Sequence, residues 1–292
     1  MRLGIWPGSL FALTLLVGCG SSPGGSPRIE EKAPDAPMVG HAHRPETTGS
    51  LTGQVTWRGP TPTLTTTPSP LLENGTVRWL SMKNPFAPVV DPKTSGLVDT
   101  VVFIREVMPE LSRLWLVAPV TVVARDFDLQ VRQGDVVSRV GFVHRSDEVE
   151  FVSDESVHTM IRGRGAAYFT LPLPDKGSST HRRLTQTGRV ELSNGAGQVW
   201  AGADLFVSDH PYFARTDANG MFKIDGIPAG SYELVCWKRS WHVKSRERDP
   251  ETGLVFRQKF ADPVEKTARI KITAKETTTV NFDFSQGDFP AP

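Results

Sequence analysis

Apolar and polar residues alternate with a period of two along most of this chain, the pattern of half-buried strands. In LTGQVTWRG, Leu51, Val55 and Trp57 fall on one face. In EVEFV, Val149 and Phe151 point inward while Glu148 and Glu150 point outward. Asp99 to Val107, Leu114 to Asp126, Asp135 to Arg145, Ala166 to Pro174, Gly188 to Ser193 and Val199 to Val207 are rich in Val, Ile and Phe, which suits strands buried in a sandwich. No segment sustains a long 3.6-residue apolar period, so few or no helices are expected.

Turn residues punctuate these runs. PTPTLTTTPSPLLENG is a turn-rich insertion after the first strand. Asn219-Gly220 and Pro228-Ala229-Gly230 bracket the strand Met221 to Ile224, and two such signals in succession predict a compact meander. KSRERDPETG reads as a charged loop, and the charges of WKRSWHVKSRERDPETG as a whole are mixed in sign, which favours a solvated loop over a basic binding patch. At the end of the chain, Ile270 and Ile272, then Val280, Phe282 and Phe284, alternate around a turn at Lys275 and Glu276, predicting a terminal hairpin with one dry face.

Composition narrows the classes. The chain has 292 residues, 38% of them hydrophobic, which is enough for two modest domains. Its 33 basic and 32 acidic residues leave a formal charge of +1 with no long block of one sign, so the concentrated positive field that nucleic acid requires is missing. The scattered 26 Gly and 23 Pro fit many turns between short strands, so the expected fold class is all-β.

The N-terminus reads as an address. Arg2 precedes the apolar run Leu10 to Val17, which is shorter than the roughly 20 residues of a membrane-spanning helix. LVGC, Leu16 to Cys19, resembles the bacterial lipobox. That resemblance implies cleavage before a lipid-carrying Cys19, with Gly20 behind it directing the protein to the outer membrane. An ordinary secretory signal that happens to contain a cysteine is the alternative. From Gly20 to Ser50 there are five prolines, no aromatic residue and almost no aliphatic one, the composition of a disordered tether. His41 and His43 within it form no enclosed site. The mature chain would then keep one thiol, Cys236, which shares a strand face with Tyr232 and Leu234 and is expected to be buried and inert.

TDANGMFKIDGIPAGSYELVCW resembles the carboxypeptidase regulatory-like module, a prealbumin-like sandwich without peptidase chemistry; the match runs through Asp217 to Gly220, Phe222, Ile224, Ile227 to Gly230 and Tyr232 to Leu234. More broadly, GQVTWRG, VVFI and DHPYFARTDANGMF resemble a group of exported bacterial proteins described as plastocyanin-like or methylamine-utilisation-like. That resemblance implies a cupredoxin-like region ahead of the regulatory-like one. In copper-binding relatives a histidine follows a serine-aspartate turn, and His158 in VSDESVHTM stands there. The relatives' Cys, His and Met positions correspond to Gly195, Gln198 and Ala201. A blue-copper centre needs two imidazoles and a thiolate in a trigonal plane. No copper ligand set is carried over, His158 being the only match, and a hydrogen-bonded place near the sandwich rim is expected for it.

Other constellations are weaker. Asp209-His210-Pro211-Tyr212 could be a charge-oriented imidazole, but a corner between modules is the more economical reading. No zincin helix, G-x-S-x-G elbow or phosphate-cradling glycine loop is present in the sequence. Trp200, Trp237 and Trp241 are candidates for an aromatic binding platform, with core packing as the alternative.

These observations lead to two β-sandwiches, a cupredoxin-like Greek key and then a prealbumin-like or carboxypeptidase regulatory-like sandwich. The expected division is a signal peptide at 1–18, a tether at 19–50, the cupredoxin-like sandwich at 51–207, the regulatory-like sandwich at 208–286 and a tail at 287–292. The strand Gly53 to Gly59 could join either. The expected role is that of a lipid-anchored cell-envelope protein at the periplasmic face of the outer membrane, acting as a non-enzymatic binding or structural module. Its partners would be the membrane, through the anchor, and envelope proteins or cell-wall glycans, with no nucleic acid and no cofactor. Copper binding or electron transfer in the periplasm is the competing function.

Overall fold

The computed structural model describes residues 43–289, apart from 64–66, 74–75, 252 and 254. The expected signal peptide, Cys19, His41 and the expected tether up to residue 42 lie outside the described residues. The fold is all-β: strands joined by loops, with three short 3₁₀ turns the only helical elements among the described residues. The first strand begins at Thr48, inside the expected tether, and His43 already contacts the body through Nδ1 and the Leu111 carbonyl at 3.3 Å.

The strands form two sandwiches, one set into the other. Thr48–Arg58 runs antiparallel to Met221–Pro228 and parallel to both Thr277–Thr279 and Phe282–Ser285. Opposite it lies a second sheet, ordered Phe213–Arg215, Val101–Arg105, Gly230–Lys238 and Val264–Ile272. We call this pair the frame. Its core joins Leu51, Val55 and Trp57 from the first strand to Ile104, Leu234, Cys236 and Phe284. The first strand alternates as its sequence predicts, and Gly53 is required within it: a Cβ there would lie 1.8 Å from the Val280 carbonyl oxygen and 2.7 Å from the Phe222 ring.

Between Val101–Arg105 and Phe213–Arg215 the chain leaves the frame and builds the inserted sandwich. One sheet is ordered Ser179–Arg183, Glu148–Ser153, Val120–Arg125, Asp128–Gln133 and Val136–Ser138. The other is Phe169–Leu173, Thr159–Gly165, Gly188–Asn194, Gly202–Ser208 and Val140–His144. Parallel pairing of Val120–Arg125 with Glu148–Ser153, and of Gly202–Ser208 with Val140–His144, makes this a crossed arrangement rather than a chain of hairpins. Val149 and Phe151 are fully buried in its core with Leu129, Ile161, Leu192 and Leu205, as the alternation of EVEFV predicts.

This nesting corrects several expectations. A boundary between 207 and 208 separates strands that share sheets: Gly53 to Gly59, and VVFI with it, belong to the frame with the C-terminal strands. The expected meander is absent because Met221–Pro228 and Gly230–Lys238 lie in opposite sheets, the turn at Ala229 carrying the chain across the sandwich. The expected terminal hairpin is absent for the same reason: Val264–Ile272 pairs with Gly230–Lys238, while Thr277–Thr279 pairs with the first strand. The charged segment after Val243 is a two-stranded ribbon, Val243–Arg248 with Val255–Phe260, linked across by Arg257 and Glu247 at 3.0 Å. Period-two alternation records which residues face a core and is silent about which strand lies alongside.

The sandwiches meet along a seam. Trp237 and Val101 of the frame pack on Val140 of the insert, with Phe103, Phe142 and Phe206 around them. Gly230–Lys238 is therefore covered on both faces, with Leu234 and Cys236 in the frame core and Trp237 in the seam. Burial continues without a break from Leu234 to Trp241, so Lys238 and Arg239 are not part of a solvated loop. Lys238 Nζ donates to the carbonyl oxygens of Val98 at 2.7 Å and Asp99 at 3.3 Å, and burial lowers its pKa to about 8. Arg239 donates from Nη1 to Asp204 Oδ2 at 2.9 Å and from Nη2 to Glu191 Oε1 at 2.9 Å, with its guanidinium 4.1 Å from the centre of the Phe86 ring. Asp204, 2% exposed, also accepts from Arg189 Nη1 at 2.8 Å. Replacing one member of a buried ion pair strands the other, at a cost of about 3 kcal/mol or more. Asp204→Asn is expected to lower unfolding stability by about 3 kcal/mol in urea titration, whereas Glu148→Gln, at the exposed Arg183 pair, changes it by less than about 1 kcal/mol.

Candidate functional site

Two places on the described surface can be assessed as sites: the end of the inserted sandwich that carries His158, and the cavity along the seam. At the first, Thr159–Gly165 pairs with Gly188–Asn194, and the Gly195 N–H donates to the Met160 carbonyl at 2.6 Å. The register therefore brings the His158 loop and the 195–201 loop to the same end of one sheet, as the motif positions require.

The side chains there serve packing. His158 is exposed and has no hydrogen-bond partner among the described residues, which corrects the expectation of a hydrogen-bonded rim histidine. The turn before it is held by its acids. Asp154 pairs with Lys176 at 3.1 Å and with Arg125, and the hydrogen bond from Lys176 leads in holding its carboxyl below the usual range. Glu155, buried, accepts the Phe127 N–H at 2.5 Å, and its burial raises its pKa.

Across from that turn, a Cβ built at Gly195 would lie 2.5 Å from Arg162 Nε, so the arginine fills the space a side chain would need. Gln198 is buried, its Oε1 accepting from Asn194 Nδ2 at 2.6 Å. Ala201 is buried in the insert core, and Trp200 is buried in the frame core, 6.1 Å from Phe260. A glycine, an amide and a methyl group supply no thiolate and no second imidazole, so these residues do not fit a blue-copper centre. Among the described residues no three His, Cys, Asp or Glu side chains stand close enough to hold a metal ion.

The three candidate platform tryptophans are interior. Trp200, Trp237 and Trp241 are 3%, 2% and 6% exposed, so none of them offers a ring face for a sugar. Trp237 lies in the seam, and Trp241 packs on Trp57 and Phe289 in the frame. Trp200 and Trp237 are buried by the opposite sandwich, which their spacing near strand ends does not announce. Cys236 is buried as its strand face predicts, and burial pushes its thiol pKa upward, away from nucleophilic use.

The seam opens into a cavity of about 520 Å³, within the usual range of about 300 to 1,000 Å³ for small-molecule sites. Phe103, Phe142, Phe206 and Phe213 line it, each half-buried, with Trp237 behind them. Phe142 stacks on Phe213 at 3.8 Å, and Phe206 meets the Trp237 ring edge to face at 5.1 Å. These rings come from both sandwiches, so no single stretch of sequence announces the cavity.

His210 also lines this cavity, in the corner connecting the sandwiches. Ser208 Oγ bonds twice to the His210 backbone, accepting its N–H and donating to its carbonyl. Asp209, which also lines the cavity, pairs with Arg145 at 2.6 Å. Burial lowers the His210 pKa to about 4, against the opposing pull of Asp209. Nδ1 accepts the Tyr212 N–H at 3.4 Å, which assigns the ring proton to Nε2.

No protein-family model matches the chain, and no curated protein matches it. Among solved structures it is similar to a purple cupredoxin from Nitrosopumilus maritimus, at 15% identity over 31% of this chain and 99% of that one, with a TM-score of 0.25. It is similar to the copper-containing nitrite reductase of Thermus scotoductus SA-01 at 16% identity, covering 31% of this chain and 22% of that one, with a TM-score of 0.25. An oxidised amicyanin variant gives 13% identity, 31% of this chain, 82% of that one and a TM-score of 0.26.

The His210 shift has a testable sign. Its folded pKa lies below the ordinary 6.5, so between about 4 and 6.5 the unfolded chain binds the extra proton. Stability contributed by the neutral ring is full above pH 6.5 and declines as pH falls toward 4, by about 2 to 3 kcal/mol in all. Urea titrations at pH 7.5 and 4.5 are expected to show a smaller loss on acidification for His210→Gln than for the unsubstituted chain.

Proposed function

We propose that this protein is a lipid-anchored, non-enzymatic binding module of the bacterial cell envelope, held through Cys19 at the periplasmic face of the outer membrane. Its partner is an envelope protein or a small molecule of that compartment. The LVGC segment and the tether behind it support the anchored location. The inserted sandwich is proposed to descend from a cupredoxin, and the frame to be a carboxypeptidase regulatory-like sandwich completed by strands that precede the insertion.

One observation carries the preference for binding over electron transfer: the loop 195–201 has been turned into a packing element. Arg162 fills the space at Gly195, Asn194 holds Gln198, and Trp200 anchors the loop in the frame core. A redox loop needs donors converging on an ion, whereas these side chains are committed to protein neighbours.

Elemental analysis and a visible spectrum after copper loading and desalting test this directly. The expected outcome is less than stoichiometric copper and no intense thiolate band; stoichiometric copper with such a band, or redox or hydrolytic turnover by the purified chain, overturns the proposal. For the anchor, Cys19→Ala is expected to abolish lipid labelling and release the protein from the membrane fraction. Retention of the variant in membranes contradicts anchoring through that residue.

A further inference from the structure

We propose that the seam cavity binds a small hydrophobic amine, its aromatic or alicyclic ring against the phenylalanines and its ammonium at Glu106. The inference rests on the binding-module reading and names a ligand class for it.

The ring contribution comes from Phe103, Phe142, Phe206 and Phe213, all half-buried and all lining one cavity. Single exposed apolar residues are ordinary, but a contiguous aromatic lining in a cavity of ligand size is the usual mark of a binding site. Ring faces of this kind also attract a cation once it is partly removed from water.

Charge at the rim selects the sign. Both arginines that line the cavity are already neutralised, Arg105 by Glu233 at 2.7 Å and Glu265 at 3.0 Å, and Arg189 by Asp204 at 2.8 Å. Asp209 is likewise taken by Arg145. Glu106 also lines the cavity, is exposed, and makes no ion pair or hydrogen bond among the described residues. Its backbone is held at φ 59°, in the left-handed region that a non-glycine residue enters at a cost. An anionic ligand would meet this unpaired carboxylate without a free cation to receive it. His210, uncharged at neutral pH, adds no repulsion toward an ammonium.

Calorimetry of the full chain with three naphthalene probes of matched shape tests the proposal: 2-naphthylethylamine, 2-naphthylethanol and 2-naphthylacetate. The amine is expected to bind at least about tenfold more tightly than the acid, with the alcohol between them. Glu106→Gln, at an exposed position, is expected to bring the amine within about twofold of the alcohol while leaving the alcohol unchanged. Thr187→Trp, also exposed and at the cavity wall, is expected to weaken all three. Absence of amine binding, acid binding as tight as the amine, or indifference to Thr187→Trp each overturns the assignment. Such a failure, in a chain that still retains no copper and turns over no substrate, leaves the binding-module reading in place and removes only its ligand class.

Discussion

Asp204 is the point on which the two sandwiches are registered. It lies on an inserted strand, almost without exposure, and receives Arg239 from the frame and Arg189 from its own sheet. A carboxylate so deeply desolvated is tolerable only with its cations in place, so the pair specifies one docking arrangement more than it adds net stability. Once Arg239 is held there, the strand before it must present Trp237 to Phe206 and Val140. The aromatic seam and its cavity follow from that single alignment.

The nesting of one sandwich inside the other explains why this alignment is needed. The frame has to close across the insertion: Thr48–Arg58 waits for Met221–Pro228, and Val101–Arg105 for Gly230–Lys238. Both ends of the insert therefore emerge from one sheet of the frame, beside each other, since Val101–Arg105 and Phe213–Arg215 are paired strands. A two-point attachment of this kind limits how the sandwiches can rotate, and the buried ion pair, with the Trp200 anchor, removes much of the freedom that remains. Contacts separated by more than a hundred residues dominate the frame, so its formation depends on closing a long loop.

How much of this was legible in the sequence follows from the same physics. The inward faces of Leu51, Val55 and Trp57, of Val149 and Phe151, and of Cys236 could be read directly, because alternation is a local property of a strand. The partners of those strands could not, because the same alternation serves any neighbour. Lys238 and Arg239 are the sharpest case: a charged stretch reads as solvent-facing until Val98, Asp99, Asp204 and Glu191 are brought to it from elsewhere in the chain. The aromatic cavity was hidden for a related reason, its rings being contributed by four strands and a half-buried phenylalanine looking like any core residue in sequence.

Within the inserted sandwich, the motif-bearing end is a packing region and the side along the seam carries the cavity. In the motif, His158 and the 195–201 loop mark the end where chemistry is expected, and the sheet does bring them together. Yet the loop's largest side chain, Trp200, is spent on the frame, and the donors that remain are an exposed imidazole and an amide already bonded to Asn194. Anchoring that loop helps to hold the insert against the frame, and holding it there creates the concave aromatic surface along the seam. The packing of that loop and the aromatic cavity along the seam thus both depend on one feature, the docking of the inserted sandwich against the frame.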